Sequence, residues 1–82
     1  MEQFTVELIV ANHCGTLNRI TELYAKHKYN IDQVTANETA DPELSLIRIV
    51  SRGNVSVQSQ MTRQLSKLYD VKNVVLLDNS MR

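Results

Sequence analysis

The chain has 82 residues, enough for one small domain with a modest core, and domains of this size commonly associate. Its 9 basic and 9 acidic residues give a formal net charge of zero, which argues against a nucleic-acid partner and against a polybasic membrane anchor. A single cysteine excludes an internal disulfide and a metal site built from several thiolates. The start, MEQFTVEL, has neither the basic residues nor the long apolar stretch of a signal peptide or membrane span, so we expect a cytoplasmic protein.

The first third of the chain predicts a strand followed by a helix. Apolar and polar residues alternate over residues 4–11, and a period of two is typical of a strand. After Gly15 the apolar spacing changes to three or four, which predicts an amphipathic helix. Lys26, His27 and Lys28 would lie in its last turn, where cations suit the helix dipole. The predicted apolar stripe comprises Leu17, Ile20, Leu23, Tyr24 and His27.

The rest of the chain predicts two strands, a second helix and a final strand. The turn between the two strands contains TADPEL, with the only proline of the chain. Asn54 or Ser56 would cap the second helix, and residues 79–82 are expected to form a frayed tail. The apolar positions of the second helix are Val57, Met61, Leu65 and Leu68. The predicted strands cover residues 31–39, 44–51 and 72–78.

The order of elements is therefore strand, helix, strand, strand, helix, strand. Right-handed crossovers place both helices on one face of a four-stranded antiparallel sheet. This α+β arrangement is the ferredoxin-like βαββαβ sandwich. We expect a single domain over residues 1–82, with its core over about residues 3–78.

Three functions that this fold commonly supports find little support in the residues. An RNA-binding domain stacks bases on aromatic residues of its central strands, but the third strand, LSLIRIVS, has none. A soft-metal carrier needs paired thiolates, whereas Cys14 stands alone and the adjacent His13 cannot complete a site. An acylphosphatase-like hydrolase needs a guanidinium in the loop after the first strand, but Arg19 lies a turn into the helix. His27 has no carboxylate placed to orient it, so catalysis by this chain is not favoured.

The loop NHCGTL joins the first strand to the first helix. If the helix begins near Gly15, the amide groups of Gly15, Thr16 and Leu17 lack intrahelical acceptors, and the helix dipole there favours an anion. A glycine lets a carboxylate approach these amides closely, and Asn12 can add a side-chain oxygen or amide. The alternative is structural, in which Asn12 caps the helix and Gly15 only turns the chain.

Several phrases of the sequence occur in the order and spacing of one family. They are NHCGTLNRITELYAKHKYNID, TADPELS and QLSKLYDVKNVVLLD, and together they span nearly the whole chain. They resemble the ACT domain of the regulatory small subunit of acetohydroxyacid synthase, also called acetolactate synthase. An Asn-x-x-Gly loop alone is common to many ACT domains, whereas its combination with YNI, DPELS and QLSKLYDV is far more specific.

The resemblance implies a non-catalytic regulatory subunit. Such subunits bind the catalytic subunit of the first common enzyme of branched-chain amino-acid biosynthesis, raise its activity, and let valine or a related end product inhibit it allosterically. The catalytic partner would hold thiamine diphosphate, magnesium and FAD, and this chain no cofactor. ACT domains of this family pair side by side as a homodimer and hold the effector between the two copies.

Carried over by position, the resemblance predicts the residues of an effector site. Its walls would be Asn12, Gly15, Thr16 and Leu17 of one copy and Asn30 and Ile31 of the facing copy. The carboxylate of an amino acid would meet the amides at the helix start, and its ammonium group would meet carbonyl or amide oxygens. Its branched side chain would meet Leu17 and Ile31.

Two residues depart from the family pattern. Cys14 stands where proline is usual and Thr16 where valine is usual, so the loop gains an N–H group and one wall becomes more polar. Either difference is expected to weaken or retune valine binding. The chain also resembles the short class of these subunits, so activation without sensing is one alternative. A free-standing ACT domain that senses another small ligand is a second alternative, and an acylphosphatase-like hydrolase is a third.

Overall fold

The computed structural model describes residues 3–77. Its elements follow the predicted order, which confirms the ferredoxin-like βαββαβ fold. They are β1 (Gln3–Ala11), α1 (Thr16–Lys26), β2 (Ile31–Glu38), β3 (Leu44–Arg52), α2 (Val55–Ser66) and β4 (Val71–Leu77). Asp78, at the end of the last predicted strand, and the predicted tail 79–82 lie outside the described residues.

The four strands form one antiparallel sheet in the order β2-β3-β1-β4. β1 pairs with β3 along its whole length, from Gln3 opposite Arg52 to Ala11 opposite Leu44. β2 and β4 are the edge strands, so each has a single neighbour. Because β1 and β2 both run antiparallel to β3, they point the same way, and the end of β1 and the start of β2 lie at opposite ends of the sheet.

The core lies between one face of the sheet and the two helices. It consists of Phe4, Val6, Leu8, Val10, Ile47 and Ile49 from the strands and Ile20, Tyr24, Met61 and Leu65 from the helices. On α1 the buried residues are Thr16, Ile20 and Tyr24, which are four positions apart and so share a face. The predicted stripe is therefore wrong at Leu17, which is 38% exposed. Thr16 faces inward instead because its hydroxyl has buried partners.

The helix ends follow simple capping chemistry. α1 ends at Lys26, with His27 as its C-cap and Lys28 in a left-handed conformation, so two of the three predicted last-turn cations lie beyond the helix. α2 begins after Asn54, whose side-chain oxygen accepts a hydrogen bond from the Val57 N–H at 3.0 Å. This confirms one of the two predicted caps. Neither of the helices that the structure describes is long and apolar enough to span a membrane.

Candidate functional site

Gly15 immediately precedes the first residue of α1 and adopts a left-handed backbone conformation, with φ at 92°. Side chains with a Cβ are strained in this region, so the turn itself favours glycine. Apart from Gly15 itself and its two chain neighbours, no atom of the described chain lies within 4 Å of the position that a Cβ would take. Gly15 therefore serves the turn and also leaves open space beside the start of the helix.

The start of α1 leaves backbone donors unpaired. The Thr16 N–H lacks an intrahelical acceptor, as expected, but it donates to the His13 carbonyl of the preceding loop at 3.2 Å and so is not free for a ligand. Among the described residues, the N–H groups of Gly15, Leu17 and Asn18 have no protein acceptor. Because the helix dipole is positive at this end, these donors suit an anion such as a carboxylate.

Asn12 is exposed and does not cap the helix, because α1 has no side-chain cap. The structural alternative for this residue is therefore wrong. Its backbone N–H donates to the Glu43 carbonyl at 2.8 Å, and its side-chain amide donates to the Pro42 carbonyl at 3.4 Å. The loop after β1 is thus held against the turn before β3. Within the described chain the side-chain oxygen of Asn12 has no partner, so it remains available to a ligand.

A buried carboxylate, Asp70, lies beneath the start of α1, and only 4% of this residue is exposed. The carboxylate accepts hydrogen bonds from the Thr16 hydroxyl at 3.3 Å and from Arg19 at 3.2 Å, and it lies 3.3 Å from Nδ1 of His13. The Asp70 carbonyl accepts the Ala11 N–H at 2.8 Å. Asp70 therefore fixes the loop and the helix start against the beginning of β4.

The guanidinium of Arg19 reaches back to the start of α1, although the residue lies one turn into the helix. Its side chain is 52% exposed, whereas that of its partner Asp70 is 5% exposed. One nitrogen is therefore held by the carboxylate while the rest of the group is accessible to a ligand. Neither role is visible in the sequence, because Asp70 lies 51 positions from Arg19 and its only signal is its place in the phrase QLSKLYDV.

The second predicted wall, Asn30 and Ile31, lies far from the first wall within one chain. Asn30 is exposed and Ile31 is half-buried. Ile31 pairs with Ser51, which pairs in turn with Phe4 near the start of β1. At about 3.3 Å per residue, the remaining length of β1 separates the two walls by roughly 23 Å. A single chain therefore does not bring the two walls together.

The second wall is held in place by its neighbours. The Tyr29 hydroxyl donates to Oε1 of Gln60 at 2.6 Å, which ties this segment to α2. The Asp32 carboxylate accepts hydrogen bonds from Arg52 at 2.9 Å and from Gln3 at 3.3 Å. These bonds, that from Arg52 first, hold the pKa of Asp32 below its usual value. Asp32 is thus ionised at neutral pH and anchors the start of β2.

β2 is an edge strand whose side chains are exposed on both faces. Every residue from Asp32 to Glu38 is exposed, including the apolar Val34 at 39%. Val34 pairs with the buried Ile49, so it points to the same side of the sheet as the core. The helices of the chain therefore leave this edge uncovered, and its free backbone groups can pair with another strand.

The remaining candidate side chains do not form a centre. Cys14 is free and exposed. The ring of His27 stacks on that of Tyr29, with 5.6 Å between their centroids. Within residues 3–77, no group of three or more His, Cys, Asp or Glu side chains is arranged to hold a metal ion.

The chain matches one family along most of its length. The model of the family described as the AHAS small subunit-like ACT domain matches residues 6–73. The acetolactate synthase small subunit of Bacillus subtilis is 40% identical over 76 residues, which is 90% of this chain and 44% of that protein. The acetolactate synthase isozyme 3 small subunit of Escherichia coli is 36% identical over 69 residues, or 84% of this chain and 42% of that protein.

Solved structures agree with this match. The acetolactate synthase small subunit of Thermotoga maritima superposes with a TM-score of 0.89 at 28% identity, covering 98% of this chain and 50% of that one. The ACT domain of a GTP pyrophosphokinase from Chlorobium tepidum shares the fold, with a TM-score of 0.75 at 18% identity, covering 92% of this chain and 96% of that one. The chain spans about half the length, or less, of the small subunits described here. It belongs to the family of AHAS small subunit-like ACT domains.

Proposed function

We propose that this chain is a regulatory domain of acetolactate synthase that activates the catalytic subunit and binds a branched-chain amino acid between two copies of itself. Membership of the small-subunit ACT family supports the regulatory role. The observation that carries the paired site is the position of its two predicted walls at opposite ends of one sheet. Such a site is complete only when a second copy supplies the missing wall.

Pairing through the β2 edges would supply that wall. A two-fold axis normal to the sheet makes the two β2 strands antiparallel. The start of β2 in one copy then lies beside the end of β2 in the other, at the sheet end that carries the loop after β1. Asn30 and Ile31 of the second copy therefore approach Asn12 and Leu17 of the first.

The polar groups at this junction match an α-amino acid. Its carboxylate would meet the unpaired N–H groups of Leu17 and Asn18 and the exposed part of the Arg19 guanidinium. Its ammonium group would meet the side-chain oxygen of Asn12 and that of Asn30 from the second copy. Thr16 would contribute through its position rather than its side chain, because its hydroxyl is buried.

The apolar part of the ligand would lie between Leu17 and Ile31 of the second copy. Leu17 is 38% exposed and Ile31 is half-buried, so both present apolar surface that a branched side chain can cover. Burial of a valine side chain contributes about 1.5–3 kcal/mol. Binding in the micromolar range needs about 6–8 kcal/mol, so the polar contacts must supply most of the rest. Because both copies contact the ligand, its binding would change how they pair, which is the proposed allosteric step.

The catalytic chemistry in this proposal belongs to the partner. Thiamine diphosphate, magnesium and FAD would be held by the catalytic subunit, while this chain, working in the cytoplasm, would hold none of them. Its 3–77 segment would form one ACT domain that contacts the catalytic chain. Activation and sensing are separate properties in this proposal. The differences from the family pattern at Cys14 and Thr16 lie in the loop that would bind the effector, and not in the rest of the surface that could contact the catalytic chain.

The proposal is tested by mixing this chain with the catalytic subunit from the same source. We expect the turnover of the catalytic subunit to rise and the two chains to elute together. Calorimetry with valine, leucine and isoleucine then tests sensing. Asn12→Ala and Asn30→Ala should each weaken binding about tenfold, because each removes a hydrogen bond to a charged group. Asn73→Ala, at an exposed asparagine of β4, is the matched control and should leave binding unchanged.

The outcomes separate the two parts of the proposal. Absence of both activation and co-elution would contradict the regulatory role. Activation without binding of any branched-chain amino acid would leave an activator that does not sense them. Binding that survives both asparagine changes would place the ligand elsewhere on the chain.

A further inference from the structure

A groove runs between α2 and the free edge of β4, on the opposite edge of the sheet from β2. It has a volume of about 500 Å³. Its lining residues are Ser59, Thr62, Arg63 and Ser66 from α2 and Val71, Lys72, Asn73, Val74 and Leu76 from β4. None of the predicted effector residues contributes to it.

The groove carries positive charge, and the described residues that line it supply no matching carboxylate. Arg63 and Lys72 line it, and none of the lining residues within 3–77 is acidic. The other arginines of the described chain, at positions 19, 48 and 52, each form an ion pair with a carboxylate. Within residues 3–77, Arg63 and Lys72 form none. The Lys72 ammonium instead lies 5.8 Å from the ring centroid of Tyr69, whose ring is itself exposed.

The shape and donors of the groove favour an extended chain over a small anion. The Thr62 and Ser66 hydroxyls already donate to carbonyls of their own helix, at 2.7 and 2.8 Å. These two hydroxyl protons are therefore not available to a phosphate. By contrast, β4 pairs only with β1 among the strands of the described chain, so its outer edge offers a row of backbone groups for pairing. Leu76, 41% exposed, adds apolar surface for an alternate side chain of an added strand.

We propose that the α2–β4 groove binds an extended acidic segment of a partner protein. The segment adds to β4 as a further strand and directs its carboxylates to Arg63 and Lys72. The β2 edge is occupied by the second copy in the proposed dimer, so the β4 edge is the one that remains for a different chain. This inference rests on the proposed function in one respect, namely that the partner is the catalytic subunit.

A direct binding experiment tests the groove without the catalytic subunit. The probe is a fluorescent peptide of about eight residues that alternates glutamate with valine, a length typical of one strand. Arg63→Gln and Lys72→Gln should each weaken binding about threefold and the double variant about tenfold, as for exposed charge pairs. Lys26→Gln, at an exposed lysine of α1, should have no effect. Methylation of alternate peptide amides should abolish binding, because it removes the strand hydrogen bonds.

Three results would overturn this inference. They are no binding of the acidic peptide at millimolar concentration, equal binding of a lysine–valine peptide, and equal binding by the double variant. The catalytic subunit gives a second measurement, in which the double variant should need about tenfold more chain for half-maximal activation. If the wild-type chain does not activate the catalytic subunit at all, the proposed function fails. The peptide experiment then still tests whether the groove binds an acidic segment. If the double variant activates like the wild type, the groove is not the docking surface.

Discussion

The Thr16 hydroxyl lies 3.3 Å from the buried carboxylate of Asp70, although 54 positions separate them in the chain. This contact joins the first turn of α1 to the residue just before β4. The same hydroxyl is 3.2 Å from the Ala11 carbonyl at the end of β1, so its single proton is shared between this carbonyl and the Asp70 carboxylate. The loop that carries the candidate site is therefore held both by the end of β1, which precedes it, and by the buried Asp70 before β4.

We expect Asp70→Asn to destabilise the fold by about 1–3 kcal/mol, because it weakens a buried, charge-assisted network. Thr16→Val, nearly equal in shape, should cost about 1 kcal/mol through the loss of one donor. Urea unfolding of both single variants and the double variant measures their coupling. A coupling free energy of about 1 kcal/mol is expected. Strict additivity of the two changes would contradict a direct interaction.

The two glycines should respond differently to alanine. Gly15→Ala should cost about 1 kcal/mol from its left-handed backbone alone, since the space around a Cβ is open. Gly15→Asn should cost less, because asparagine tolerates this conformation. Gly53→Ala should cost about 1–3 kcal/mol through a clash with the Val57 side chain. Thermal or urea unfolding checks the order, and an asparagine variant less stable than alanine at position 15 would contradict the backbone explanation.

Tyr24 should make stability fall at high pH. Its hydroxyl is buried and has no partner in hydrogen-bonding geometry within residues 3–77. Burial raises its pKa from 10.0 to about 12, an effect that the nearby Ser51 hydroxyl only partly offsets. The unfolded chain therefore releases this proton from about pH 10, while the folded chain keeps it until about pH 12. Between these values the folded state binds more protons, so the free energy of unfolding decreases as pH rises, by about 2–3 kcal/mol in all.

Tyr24→Phe isolates this effect. At pH 7 the variant should differ from the wild type by less than about 1 kcal/mol, because the lost hydroxyl had no partner. Between pH 10 and 12 its unfolding free energy should decline less steeply than that of the wild type. Tyr69→Phe, at a tyrosine that is 85% exposed, should retain the wild-type slope. Equal slopes for both variants in urea unfolding would contradict the assignment to Tyr24.

The β2 edge can be tested with two exposed valines of similar accessibility. Val34, on β2, is 39% exposed, and Val75, on β4, is 42% exposed. We expect Val34→Lys to weaken self-association by about tenfold or more, since two like charges would meet at the proposed junction. Val75→Lys should leave self-association unchanged. Sedimentation of the wild type and both variants across a range of concentrations measures the effect, and an equal response of the two variants would contradict pairing through β2.

Periodicity predicts much of this fold because the buried faces of β1, α1 and α2 repeat along the chain. The alternation over residues 4–11 and the asparagine before α2 both indicate the structure that is found. The pattern fails at Leu17, where hydrophobicity predicts burial but the neighbouring Thr16 is buried instead, with its hydroxyl bonded to the distant Asp70. Asp70 is invisible for the same reason, because a contact over 54 positions leaves no local spacing. Gly15 is the part of the candidate site that the sequence does indicate, because a glycine between a strand and a helix suggests a turn that other residues adopt poorly. The positive φ of Gly15 agrees with this expectation.

Lys72 is the extra residue where β4 slips in register against β1, between the Asn73 pair with Ile9 and the Val71 pair with Val10. A sheet with two free edge strands can be extended without limit. Each proposed dimer could pair with the next through its outer β4 edge, and the dimers would then form a fibril. Lys72 places a cation on an irregular part of the β4 edge. This cation repels the β4 edge of another copy, whereas an acidic strand can still pair there. In the proposed dimer this charge would discourage polymerisation through the β4 edges, and a neutral residue in place of Lys72 would remove that barrier.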